Sequence, residues 1–206
     1  MPSSSIAHQL RHAAPHVAYA FTGILAAAEI VILALALNPT VNADYRAYYI
    51  DRSTTCLNRD SVGDYTLGAT VSFRNGGGKK ATSMKVCGWS GPAGDGTHSL
   101  GETSRLRVRL PSHRGSLRIT MEMSAVIRPP QTTQRVVFSV NGVEAHQVTL
   151  MGKPSRIVSF AIPSAVANSE VFDITFDYLD GIPPHRFASN TYKRAVRLLS
   201  FRIDTI

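Results

Sequence analysis

The residues with the most chemical potential crowd into one loop. From Cys87 to Glu102 the chain reads CGWSGPAGDGTHSLGE, which holds the sole tryptophan, Trp89, together with Asp95, His98 and Glu102 among glycines. An indole on such a loop can stack on the apolar face of a sugar ring, with Asp95, His98 and Glu102 placed to bond its hydroxyls. The same residues also fit a plainer arrangement, in which Trp89 plugs the open end of a β-sandwich and the glycines only permit tight turns. A glycosidase needs two carboxylates at a defined separation. Asp95 and Glu102 supply the residue types, but nothing in their spacing fixes that geometry. No G-x-S-x-G nucleophile elbow is present. Gly76 to Lys80 lacks the preceding spacing and the following Ser or Thr of a phosphate-cradling loop. His98, His113, His146 and His185 are scattered and form no metal pair. The chemistry on offer is that of binding rather than catalysis, with no cofactor and no metal.

Two cysteines bear on the same loop. Cys56 and Cys87 form an even pair, which in an oxidising compartment becomes a disulfide; two buried free thiols are the alternative. Closing a loop of about 30 residues contributes roughly 3 to 4 kcal/mol in the chain-entropy description. Neither cysteine belongs to a C-x-x-C and no paired histidines lie nearby, which argues against zinc.

What positions that loop begins with a membrane element. Residues 17–37, VAYAFTGILAAAEIVILALAL, are nearly unbroken apolar sequence. As a helix this run is roughly 31 Å long, the hydrocarbon thickness of a bilayer. Glu29 sits past its middle, where a carboxylate costs about 2.5 to 3.5 kcal/mol on insertion scales. It is protonated or shallow enough to be tolerated, or it meets a polar group on the helix of a membrane partner, or it takes a direct part in transport or proton movement. Ala26, Ala27 and Ala28 offer a small-residue surface on which another helix can pack closely. Ala34-Leu35-Ala36 fits a signal-peptide cleavage pattern, but the apolar run exceeds a signal core and Glu29 interrupts it, which favours an uncleaved anchor. The expected organisation is a cytoplasmic segment 1–16, a transmembrane helix 17–37, a tyrosine-bearing linker 38–66 (Tyr45, Tyr48, Tyr49, Tyr65) and a periplasmic domain 67–206. The protein is then a single-pass protein of a bacterial inner membrane with its C-terminal domain in the periplasm.

Beyond the linker the chain is a succession of strands and turns. Strands are predicted at 68–74, 82–87, 105–110, 116–123, 134–140, 143–150, 156–162, 171–178 and 194–206. In SLRITMEM the alternation places Leu117, Ile119, Met121 and Met123 on one face, and in VFDITFDY it sets Phe172, Ile174, Phe176 and Tyr178 against Val171, Asp173, Thr175 and Asp177. Asn141-Gly142 between two such runs marks a two-residue hairpin. Short strands of this number, punctuated by Gly and Pro, predict an all-β fold, an antiparallel β-sandwich of jelly-roll type, preceded by one N-terminal transmembrane helix.

The net charge is +8. Arg11 and Glu29 are the charges before residue 38, so the remainder carries the whole excess. It suits anionic headgroups, an acidic polymer or a negative partner surface. Nucleic acid is a poor candidate, because Arg105, Arg107 and Arg109, and Arg194 and Arg197, lie along strands without interleaved aromatics; they read as the solvated face of a sheet.

The order of several short motifs carries a resemblance. Gly88-Trp89-Ser90, Pro92, Gly96 and Glu102 are followed by R-L-R-V-R-L at 105–110, V-V-F-S-V-N-G at 136–142, S-F-A-I-P at 159–163 and I-T-F-D-Y with a downstream Pro183-Pro184. S-N-T-Y-K-R-A-V-R-L-L-S-F follows at 189–201. Across residues 86–204 this resembles the jelly-roll domains attached to, or encoded beside, bacterial exopolysaccharide and surface-glycan glycosyltransferases. It also resembles the small membrane-anchored accessory proteins of rhizobial β-glucan (curdlan-like) synthesis. The resemblance implies a membrane glycosyltransferase and its polysaccharide as partners. Members of that group often carry an Asp beside the serine near the last strand, where this chain has Asn190; Asn190 and Arg194 therefore join Trp89, Asp95, His98 and Glu102 as candidate carbohydrate contacts. No catalytic residue carries over. The function expected is a non-catalytic accessory subunit docked on the synthase. A tethered carbohydrate-binding module, or a periplasmic glycan lyase or hydrolase, are the alternatives.

Overall fold

The computed structural model describes residues 4–37, 39–51, 53–111, 113, 115–182 and 193–206, with side chains from residue 18 onward. The chain divides into two units, Met1–Asn42 and Ala43–Ile206. The first is built on one helix, α1 (Ser4–Leu37). Within it Ala18–Leu37, 20 residues of mean hydropathy 2.3, has the length and composition of a membrane span or a signal sequence. Glu29 and Ala26 to Ala28 lie exposed on this helix.

The second unit is a two-sheet sandwich, as the alternation predicts. It opens with a helical turn, α2 (Ala43–Tyr45), running into a π-helical turn Arg46–Ile50, and contains one further helix, α3 (Gly78–Met84). The strands among the described residues are β1 (Gly63–Asp64), β2 (Val71–Ser72), β3 (Lys85–Cys87), β4 (Thr97–His98), β5 (Thr103–Arg109), β6 (Leu117–Ala125), β7 (Thr133–Val140), β8 (Val143–Met151), β9 (Arg156–Ala161), β10 (Val171–Tyr178) and β11 (Val196–Thr205). One sheet has the order β1-β5-β10-β7-β8 and the other β2-β11-β6-β9. Two short pairs complete them: β1 and β3 share one edge of β5, and β2 and β4 share one edge of β11. The pairing is antiparallel except for β1, which runs parallel to β5.

Both inner faces are the ones the period-2 pattern selects. Leu117, Ile119, Met121 and Met123 of β6 and Phe172, Ile174 and Phe176 of β10 are completely buried, and Tyr178 nearly so. The hairpin between β7 and β8 turns at Asn141 (φ 49°) and Gly142 (φ 80°), the two positive angles a type I′ turn demands. In β11 the register slips by one residue between Leu198 and Ser200. Leu198 and Leu199 are both buried there, and the extra residue resets the alternation so that Phe201 and Ile203 again face inward.

Three places differ from the sequence expectation. The predicted strand 82–87 is a strand only from Lys85, because Ala81 and Met84, three apart, bury one helical face. The Thr82 and Ser83 hydroxyls bond back to the carbonyls of Gly78 (3.1 Å) and Lys80 (2.9 Å), consistent with that turn. The predicted strand 68–74 is regular only at Val71–Ser72. Residues 43–66, expected as linker, fold with the sandwich: Gly63–Asp64 forms β1, and Tyr65 is a core residue whose hydroxyl donates to the carbonyl of Ala69 and accepts from Ile203 N–H.

The same segment covers one of the arginines expected to be solvated. Arg107 donates to Asp173 Oδ2 at 2.6 Å, to Asn58 Oδ1 at 2.8 Å and to the Arg59 carbonyl at 2.9 Å. Cys56 and Cys87 are joined by a disulfide across the same region, with Cα atoms 5.0 Å apart. Thr55 is seated against Gly101, and its hydroxyl accepts from Glu102 N–H.

Candidate functional site

Pinning residues 48–61 beside β3 creates a cleft of about 500 Å³. Its aromatic lining residues are Tyr48 and Trp89, with Leu57, Val86, Pro92 and Leu100 supplying further apolar surface. Trp89 is held by strand geometry and by its own ring. The backbone bridges to Ser99, the indole N–H donates to the Arg105 carbonyl at 3.0 Å, and the ring meets Phe176 edge-on at 5.1 Å. The indole is half-buried against the core and also lines a concave surface, which Asp95, His98 and Glu102 do not line. Hydroxyls of Thr55, Ser61, Thr82 and Ser90 line the same cleft, and no lining residue is acidic.

The cations of the cleft are Lys85 and Arg59. Lys85 Nζ donates to the Ser90 carbonyl at 3.0 Å and to Thr97 Oγ1 at 3.1 Å, and sits 5.9 Å from the Phe73 ring centroid. Burial lowers its pKa below the ordinary lysine value, since the ammonium is partly removed from water. Its partners are neutral oxygens and a π-face.

Asp95 and His98 lie elsewhere, on the outer face of the β11 sheet. His98 on β4 stands directly opposite Arg197 on β11, which stands opposite Ser124 on β6. Asp95 joins that row, with Oδ2 2.9 Å from Arg197 and Oδ1 3.3 Å from His98 Nε2. The hydrogen bond from Arg197 holds the Asp95 carboxyl below the usual carboxylate range. Burial pulls the His98 pKa down despite Asp95, and repulsion from Arg194 and Arg197 adds to this. His98 is therefore a neutral imidazole at neutral pH, accepting or donating a hydrogen bond rather than forming an ion pair. No hydroxyl or thiol meets either of its ring nitrogens among the described residues. Beside this row a second concavity, about 590 Å³, lies between Arg74, Asp95, Lys153 and Arg197.

The remaining candidates are dispersed. Glu102 is exposed and pairs with Lys193 at 2.5 Å. Arg194 bridges to Ile182 through its backbone, and its charge reaches His98. Asn190 lies outside the described residues. The structure therefore gathers Asp95 and His98 at Arg197, with the Arg194 charge felt at His98, and sets Trp89 apart with Tyr48, Lys85 and Arg59. Arg197 and Lys85 are functional candidates that residue-type reasoning passed over. Their sequence signal is slight, a single cation in alternation with buried neighbours.

No protein-family model matches the chain, and no curated protein matches it. Solved structures do resemble it at low identity. A carbohydrate-binding module CBM36 solved with calcium and xylotriose is 11% identical, with 66% of this chain and 99% of that one covered at a TM-score of 0.38. The CBM36-1 domain of a multidomain xylanase from the hindgut metagenome of Trinervitermes trinervoides is 12% identical over 65% and 94%, at 0.39. A ruminal GH26 endo-β-1,4-mannanase is 12% identical over 69% of this chain and 26% of its own, again at 0.39. Similarity at this level says nothing of ligand or role.

Proposed function

We propose that the protein is a membrane-tethered, non-catalytic module whose β-sandwich contacts polysaccharide in the cleft between Trp89 and Tyr48. One observation carries this reading: two aromatic walls and several hydroxyl side chains converge on a concave surface of about 500 Å³. That is the combination a sugar ring needs, apolar faces for its C–H groups and hydrogen-bonding partners for its edge. The full chain in lipid nanodiscs, titrated calorimetrically with glycan oligomers, should bind them. Tyr48→Ala and Trp89→Ala should each weaken binding roughly tenfold, the scale of an aromatic anchor. Trp89 also packs on Phe176, so Tyr48→Ala, outside the core, is the decisive variant; full affinity in it overturns the assignment.

In its finer form the reading is of an accessory subunit of an exopolysaccharide (β-glucan) synthesis complex, with α1 in the inner membrane beside a glycosyltransferase and the sandwich in the periplasm. What supports it is the family resemblance together with Glu29, exposed on α1 next to Ala26 to Ala28. A carboxylate in lipid favours a polar neighbour on another helix. Glu29→Leu is expected to abolish co-purification with a membrane glycosyltransferase while leaving the protein in the membrane fraction. Retained co-purification removes Glu29 from the contact.

A further inference from the structure

The cleft differs from the rest of the sandwich in its charge bookkeeping. Arg46, Arg74, Arg105, Arg107, Arg109, Arg135, Lys193, Arg197 and Arg202 each have a carboxylate within 4 Å. Lys79, Lys80, Arg118, Arg128 and Arg156 have none and stand exposed, where water solvates them. Arg194 and Lys85 fall in neither class, and of the two Lys85 is the one that lines the cleft. Lys85 is half-buried between buried Met84 and Val86, and its ammonium has the Ser90 carbonyl, the Thr97 hydroxyl and the Phe73 π-face as partners but no carboxylate. A partly desolvated charge without a counter-charge is destabilised relative to water. Two hydrogen bonds leave one of its three N–H donors without a protein acceptor. Arg59, exposed and without a side-chain partner among the described residues, lines the same space, and none of the lining residues is acidic.

From this placement we infer that the cleft selects a sugar bearing a carboxylate, a uronic acid unit of an acidic glycan, with Lys85 and Arg59 as the groups that recognise the acid. The inference rests on the reading of this cleft as the polysaccharide site, and it narrows the ligand from the neutral β-glucan implied by the resemblance. A neutral glucan leaves the Lys85 ammonium without a counter-charge in the cleft. A uronate supplies the missing counter-charge through charge-assisted hydrogen bonds, which are about twice as strong as neutral ones. The Trp89 and Tyr48 walls take up the ring in either case, so the two cations decide between acidic and neutral sugars rather than whether sugar binds at all.

The test compares two probes on the full chain in nanodiscs of zwitterionic lipid: a tetramer of galacturonic acid and a neutral β-1,3-linked glucose tetramer. The wild-type protein should bind the acidic tetramer roughly tenfold more tightly at low salt, as one recovered charge-assisted contact allows. Lys85→Gln keeps a donor for the Ser90 and Thr97 oxygens but no charge, and should bring the two affinities together, the acidic tetramer losing more than the neutral one. Arg59→Gln, at an exposed position, should shrink the ratio in the same direction. Equal affinities in the wild type, or a ratio unchanged in Lys85→Gln, overturn the inference while leaving a sugar-binding cleft intact. Binding of neither tetramer overturns the cleft as a sugar site and the inference with it.

Discussion

Replacing Cys56 and Cys87 together with serine is expected to lower the melting temperature of the sandwich by roughly 10 °C. The disulfide spans a sequence separation of 31 residues. A loop of that length is worth roughly 3 to 4 kcal/mol of denatured-state entropy, and for a domain of this size each kcal/mol moves the midpoint by about 2 to 4 °C. The bond also has a local task. It ties residues 48–61, one wall of the cleft, to β3, the other. The remaining ties on that wall are mainly polar: the Arg107 bonds to Asn58 and Arg59, and the Thr55 hydroxyl. Glycan affinity should therefore fall even at temperatures where the far-ultraviolet dichroism of the sheets is unchanged. Calorimetric melting checks the first effect, and titration well below the melting point checks the second. A double variant with wild-type melting and binding would show that the polar ties alone hold the wall.

Gly88→Ala should be as damaging by a different route. Gly88 adopts φ +71°, and a Cβ built there lies 2.2 Å from the Thr103 carbonyl oxygen and 2.7 Å from Ser104 Cα. A left-handed alanine costs about 1 to 2 kcal/mol, and the crowding adds about 1 to 3 kcal/mol because the obstacle is the backbone of a paired strand. The Gly88 carbonyl also accepts from the Leu100 N–H (2.7 Å) and the Ser104 hydroxyl (2.5 Å), bonds that stretch if the loop retreats. The expected loss is roughly 2 to 5 kcal/mol, read as a lower urea midpoint with little change in slope. Gly91→Ala is the internal control. It lies in the same loop, has no positive φ and meets nothing within 4 Å, so its midpoint should shift by no more than about 0.5 kcal/mol equivalent. Equal midpoints for the two variants would refute the steric argument.

Much of the sandwich was legible because its long strands carry their own phase. Val171–Tyr178 was delimited residue for residue, since Phe, Ile and Phe alternate with Asp and Thr and only one face can be buried. The Asn141-Gly142 turn needed only local chemistry. What stayed hidden was local structure set by partners distant in sequence. Two-residue strands such as β1 and β4 have no period to read; they exist because β5 and β11 offer free edges. Thr82 to Met84 has β-compatible residues, yet two buried side chains and two hydroxyl back-bonds make it helical. The site was harder still. Asp95 and His98 were visible as residue types, but their partner Arg197 lies about a hundred positions away and meets them only through the β4–β11 ladder. Lys85 looked like any surface lysine until the segment before it folded over the sheet.

The irregular step in β11 has a consequence for how this protein can change over generations. Arg197, facing Asp95, and Phe201, in the core, sit on opposite sides of the sheet although four positions separate them, an even spacing that an unbroken strand would give to one side. The doubled leucine at 198 and 199 supplies the half-step that reconciles them, and the Leu199 carbonyl is held by Phe73 N–H at 2.8 Å. Substitutions along the strand are thus tolerable in inverse proportion to burial, and losing the single codon of Leu199 would leave an unbroken strand with Arg197 and Phe201 on the faces they have now, whereas gaining one codon there would invert every side chain on one side of the insertion. Lineages carrying this strand should vary there in spelling, or by loss of that one residue, and not by gain.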